Sequence, residues 1–199
     1  GKHWVQEFMS TASRPPEKQG LYDPRLEHDA CGVGFVANIE GQKSHDIVEQ
    51  ALQVLQNLSH RGATGFDPDT GDGAGILLQI PHEFYRRECA KLGFALPEPG
   101  DYGVGMVFLS RDDGERRQCE KVIEKIIDDE GQELLGWRDV PVNPSAIGRV
   151  SDACRPTIRQ VFIRKCGAFP DTLSFERQLF LIRKWVNRNI MDRPAASVA

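Results

Sequence analysis

No run of apolar residues in this sequence approaches the roughly 20 needed for a helix to cross a bilayer. Residues 1–30 carry Glu7, Lys18, Asp23 and Arg25 where a secretory signal would hold an apolar core, which excludes a signal peptide of that kind. The expected location is the cytoplasm, or a plastid if the source is a plant or alga. An excess of basic charge is also missing. The net charge is −4, and Lys and Arg are interspersed with Asp and Glu, so no basic field exists to hold a nucleic-acid backbone. Cysteines are few and odd in number: Cys31, Cys89, Cys119, Cys154 and Cys166 are widely spaced, with no C-x-x-C pair. That pattern builds neither a disulfide framework nor a zinc knuckle, and no two histidines have metal-ligand spacing. No internal repeat occurs, and the only low-complexity stretch is a short Ala-Ser tail.

The sequence has the means for a sizeable core: 199 residues, 40% of them hydrophobic and 27% charged, describe an ordered globular chain and exclude disorder. Residues 1–30 are irregular, broken by Ser13-Arg14-Pro15-Pro16 and Tyr22-Asp23-Pro24-Arg25, and read as a leader; residues 31–199 read as the folded part. Gly32 to Ile39 is strand-like, with glycines that would let another backbone approach. Ser44 is placed to cap a helix with Ile47, Ala51, Leu55 and Leu58 at helical spacing and Gly62 at its end, so His60 and Arg61 fall at its C-terminus. A glycine-rich loop over residues 62–74 leads to a buried strand over Gly75 to Ile80, then to a helix from Pro81 to about Gly93. The second half predicts a strand over Tyr102 to Leu109 and a helix whose face is Cys119, Val122, Ile123, Ile126 and Ile127. Strands over Leu134 to Val142 and Pro156 to Arg164 follow. The last helix starts near Ser174, with Phe175, Leu179, Ile182, Val186 and Ile190 inward.

A buried cysteine is ordinarily a small hydrophobe, and Cys31 alone says no more. Its context does: an irregular leader on one side, a strand on the other, and small residues at the junction are what a processing site looks like. Were the Ala30–Cys31 bond cut, Cys31 would gain an α-amine of pKa ~7.7–8.0 beside a thiol of ~8.5. Such an amine takes the thiol proton without a separate histidine base. Uncut, the same nitrogen is an amide and no base, so the chain as written is expected to be inactive. The second constellation is Leu58-Ser59-His60-Arg61-Gly62-Ala63-Thr64-Gly65 with Gly71-Asp72-Gly73-Ala74-Gly75. It follows a helix, precedes a strand and lacks a Lys-Ser/Thr end, which argues against a phosphate-binding loop. Gly32-x-Gly34 likewise lacks the third glycine of a dinucleotide fingerprint. His82 reads as a first-turn surface residue, His28 and Asp29 belong to the leader, and Asp128-Asp129-Glu130 is a solvated helix end.

Taken in order, the run from Tyr22 to Phe35 (Tyr-Asp-Pro-Arg-Leu-Glu-His-Asp-Ala-Cys-Gly-Val-Gly-Phe), Asn57-Leu58-Ser59-His60-Arg61-Gly62-Ala63, Gly71-Asp72-Gly73-Ala74-Gly75-Ile76 and Gln79-Ile80-Pro81-His82 closely resemble the start of glutamate synthase large subunits. The His-Arg-Gly element is shared more widely among class II glutamine amidotransferases. The resemblance implies an α+β fold: an N-terminal nucleophile (Ntn) hydrolase four-layer α/β/β/α sandwich, present only in part, with an inserted β-α-β-β-α segment. It implies removal of the leader and attack of Cys31 on the side-chain amide of L-glutamine, giving ammonia, a γ-glutamyl thioester and then glutamate. The ammonia would convert 2-oxoglutarate to 2-iminoglutarate at a second site, where reduction gives glutamate. Arg61 is expected beside the nucleophile, with Gly62, Asp72 and Gly73 shaping the wall. No cofactor is expected in these residues; FMN and an iron–sulfur cluster belong to later domains. Expected partners are L-glutamine, the remaining large-subunit domains and, where the family has one, a small NAD(P)H-oxidising subunit.

The departures lie at the other end. The family's Asn-Gly pair, which supplies the oxyanion hole, has no counterpart, and the substrate-gripping arginine and aspartate of the family lie beyond Ala199. Each missing oxyanion donor costs ~10²–10³ in rate, so little glutaminase activity is expected from these residues alone. Sheet edges without partners are a further expectation and an aggregation hazard. Three other readings stand beside this one. The first is another class II amidotransferase, against which the segment after Tyr102 and the leader argue. The second is a regulatory or interaction module that keeps the fold without the chemistry. The third is a cysteine redox sensor, which would need a resolving cysteine near Cys31.

Overall fold

A computed structural model describes residues 32–58, 73–169 and 171–190, with Lys18 and Gly20. The described residues divide into two compact units, 32–58 with 73–76 and the remainder from residue 77. The leader, apart from Lys18 and Gly20, lies outside the described residues.

In the first unit helix α1, His45–Asn57, follows Ser44, whose backbone is extended and whose side chain makes no capping bond. Ile47, Ala51, Val54, Leu55 and Leu58 form its half-buried face, as the helical spacing predicts. The helix stops at Asn57, with Leu58 N–H bonded back to Val54 and Leu55 carbonyls. The expected end at Gly62 lies outside the described residues. Gly32 to Ile39 differs from expectation: it forms no strand, and Val33 and Phe35 are almost fully exposed. The segment has the composition of a core strand, yet no described strand pairs with it, and a ladder needs two partners. It ends in a turn where Asn38 Oδ1 accepts from Glu40 and Gln42 N–H groups, with Gly41 at φ +69°.

The second unit begins with the same discrepancy, since residues 77–80 are not a strand and Leu77 is fully exposed. Helix α2, His82–Lys91, follows Pro81 as predicted and closes at Gly93, φ +89°. Strand β1 is Tyr102–Leu109 and helix α3 is Asp113–Asp129, capped by Asp112, whose carboxylate accepts from Glu115 N–H at 2.8 Å. Strand β2, Glu133–Asp139, stops three residues short of the expected Val142. A 3₁₀ turn, Pro144–Ala146, and a short helix α4, Arg149–Cys154, then intervene, neither of them predicted. Strand β3 is Thr157–Arg164 and helix α5 is Thr172–Ile190, preceded by Asp171, whose side chain accepts from Ser174 N–H and Oγ–H at 2.6 Å.

The three strands form one antiparallel sheet in the order β1-β3-β2, so the last strand is central. Its alternation sorts the core. Val161 and Ile163 face α3 and α5, packing with Ile123, Ile126, Ile127 and Ile182. Phe162 faces the other way, into a cluster with Cys89 of α2 and Tyr102. A bulge in β2 leaves Leu135 without a partner while Leu134 pairs with Ile163 and Gly136 with Phe162. At Gly103 an added Cβ would stand 2.5 Å from Leu179 Cδ1, so α5 approaches the sheet where β1 has no side chain. Gln178 then ties α5 to the end of α3 through Glu130 Oε2 at 2.7 Å. The order strand, helix, strand, strand, helix matches expectation once α4 is added, and helices with a small antiparallel sheet make the fold α+β.

Candidate functional site

Of the predicted site residues the structure describes Gly73, which is exposed and has nothing within 4 Å of where a Cβ would stand. Cys31, Arg61, Gly62 and Asp72 lie outside the described residues. Their immediate neighbours in the chain do not. Gly32 sits on α1, with the position of a Cβ only 3.1 Å from Leu58 Cδ2, and Gly34 is tighter still, 2.6 Å from Val54 Cγ1. The glycines thus admit two side chains of α1, where another backbone was expected. The residue after Cys31 and the residue before Ser59-His60-Arg61 are in contact. Gly34→Ala is expected to destabilise this packing by about 1–3 kcal/mol, read as faster hydrogen exchange in α1, and Gly34→Ala with Val54→Ala should recover part of it.

Within the second unit the titratable side chains are turned to structure. His82 Nδ1 lies 3.0 Å from the Tyr102 hydroxyl, so His82 is tied into the helix–sheet contact and is no free surface residue. Burial pushes the Tyr102 phenol up to about 12. On the same sheet face Arg138 donates to Gln160 Oε1 at 3.0 Å and to Glu88 Oε2 at 3.3 Å, with its guanidinium over the Phe84 ring. Gln160 in turn donates to the Tyr85 hydroxyl at 2.7 Å. This buried chain of bonds was not predicted; its signal was an arginine and a glutamine facing each other across two apolar strands. Every member has a partner, so the network locks α2 to the sheet and leaves no group aimed at a ligand. Cys89 lies beside it, wholly buried, with its thiol pushed up to about 11 by burial. It is no nucleophile at neutral pH.

Among the described residues no three His, Cys, Asp or Glu side chains gather to hold a metal, and no helix is long and apolar enough to cross a membrane. Cys89, Cys119, Cys154 and Cys166 lie on separate segments and form no disulfide among the described residues.

Comparison with known proteins gives the site its context. The family profile of the class-II glutamine amidotransferases matches residues 31–198. The chain is 53% identical over 174 residues to an NADPH glutamate synthase large chain of Bacillus subtilis, covering 87% of this chain and 11% of the relative. It is 45% identical over 185 residues to an NADH glutamate synthase of Saccharomyces cerevisiae, 88% of this chain and 8% of the relative. With a chloroplastic ferredoxin-dependent glutamate synthase of Arabidopsis thaliana it shares 41% identity over 184 residues, 92% of this chain and 11% of the relative. The chain therefore spans about a tenth of the length of these relatives.

Proposed function

The chain belongs to the class-II glutamine amidotransferases, and from that premise we propose that it is the nucleophile-bearing part of the glutaminase of a glutamate synthase. Cys31 is the nucleophile, residues 1–30 are a leader removed before activity, and residues 31–199 begin the amidotransferase domain. The observation that carries this reading is the class-II glutamine amidotransferase match over residues 31–198, within which Gly32, the residue after Cys31, packs on Leu58. The family match beginning at Cys31 is consistent with a mature start there.

On this reading the α-amine of Cys31 takes the thiol proton, and the thiolate attacks the side-chain carbonyl carbon of L-glutamine. The tetrahedral intermediate expels ammonia, protonated by the same amine, and leaves a γ-glutamyl thioester. Water then hydrolyses the thioester to glutamate. Arg61 favours the thiolate, and Gly62, Asp72 and Gly73 shape the wall beside it. The sandwich of an Ntn hydrolase would give the apolar runs 32–39 and 75–80 the sheet partners they lack among the described residues, with β1 to α5 as an insertion. Ammonia would pass to a second site that makes glutamate from 2-oxoglutarate. FMN, an iron–sulfur cluster and any small NAD(P)H-oxidising subunit serve that second site, outside these residues.

Intact mass and N-terminal sequencing of the full natural polypeptide made in cells test the proposal. A start at Cys31 in a protein that hydrolyses glutamine supports it. A retained leader in an active protein refutes the free-amine mechanism, and a retained leader in an inactive one favours a regulatory module that keeps the fold.

A further inference from the structure

Helix α5 buries Phe175 and Ile182, the latter against the sheet, and its exposed side carries apolar and cationic side chains together. Leu173 and Phe180 are each more than half exposed there, with Leu181 beside them. The same helix exposes four cations, Arg177, Arg183, Lys184 and Arg188, against the single exposed carboxylate of Glu176. None of the four is in a salt bridge among the described residues. In contrast, Arg138, Arg159, Arg164 and Lys165 of the sheet region are all paired. Two of the four α5 cations lie over the helix's own rings: Lys184 Nζ is 5.5 Å from the Phe180 centroid and Arg188 Cζ 5.6 Å from that of Trp185.

We propose that this outer face of α5 is a docking surface for an acidic protein segment bearing aliphatic side chains, supplied by the same natural polypeptide outside residues 1–199. The charge decides the chemistry. A surface of local charge +3 from those five side chains, on a chain of net charge −4, selects carboxylates. A second copy packed on a two-fold axis would set the four cations against themselves. Arg177, Lys184 and Arg188 share the arc of the helix that carries Leu173, Phe180 and Leu181; a lipid-bound helix separates cations and apolar groups into opposite faces. The relatives, of which this chain spans 8–12%, supply chain in abundance to provide the segment.

The test uses the full natural polypeptide and does not read glutamine hydrolysis, so it stands or falls apart from the glutaminase proposal. Zero-length carbodiimide coupling and peptide mapping should join Lys184 to an Asp or Glu outside residues 1–199 of the same polypeptide. Acetylation of Lys184 should run about tenfold slower than that of Lys121, exposed on α3. In the variant Arg177→Glu, Arg188→Glu the two rates should come within about twofold of each other. Equal rates in the unaltered polypeptide overturn the proposal. So does a cross-link to a second copy, or protection that appears only with phosphatidylserine vesicles.

Discussion

Cys31→Ala in the full natural polypeptide is expected to lower glutamine hydrolysis by at least about 10⁴-fold, measured as ammonia release. The size follows from what a nucleophile does. Without the thiol no thioester forms, and the remaining site can only bind glutamine and polarise its amide, which leaves a small residual rate over water. A leader made uncleavable by replacing Ala30 should cause a comparable loss with the thiol still present. The nitrogen of Cys31 then remains an amide that accepts no proton. The two variants separate nucleophile from base: equal losses place both functions on one residue, while activity in the uncleaved protein would return the base to another side chain.

Phe162→Ala is expected to cost about 3–5 kcal/mol in the stability of the sheet unit. Phe162 is wholly buried on the central strand, with the Tyr85 ring edge-on at 5.2 Å and Phe94 at 5.7 Å. Removing it leaves a cavity between α2 and the sheet that the Arg138–Gln160–Tyr85 bonds hold open. Hydrogen exchange of the β3 amides in the natural polypeptide reads the effect as lost protection. Phe108→Ala, on exposed β1 surface, is the control and should stay within about 0.5 kcal/mol.

Where periodicity had a partner to pack against, the sequence announced the structure. The α3 face from Cys119 to Ile127 and the α5 face from Phe175 to Ile190 were legible because helices declare their buried side every three to four residues. Strands 102–109 and 157–164 were legible as short apolar segments set off from the helices around them. The runs at 32–39 and 75–80 were misread as strands because composition reports the wish to pair and pairing depends on a second strand. Helix α4 was missed because six residues hold too little period. Arg138 and Gln160 escaped notice because polar residues on alternate strand positions read as solvent-facing, and here α2 covers that face. The expected site rests on its motifs, and Cys31, Arg61, Gly62 and Asp72 lie outside the described residues. What the fold adds is the tight seat of Gly32 and Gly34 on α1, which no periodicity carries.

The bulge in β2 sets where that strand can change length. Leu135 has no partner on β3, so the ladder on either side of it already matches without it. Losing Leu135 would leave Trp137 facing Ile127 and Arg138 facing Gln160, at the expense of some apolar cover over Phe94. Losing Trp137 instead would bring Arg138 opposite Val161 and send its charge among the isoleucines. The strand can be shortened at one position, and everywhere beyond it the count of residues is as much a part of the core as their identity.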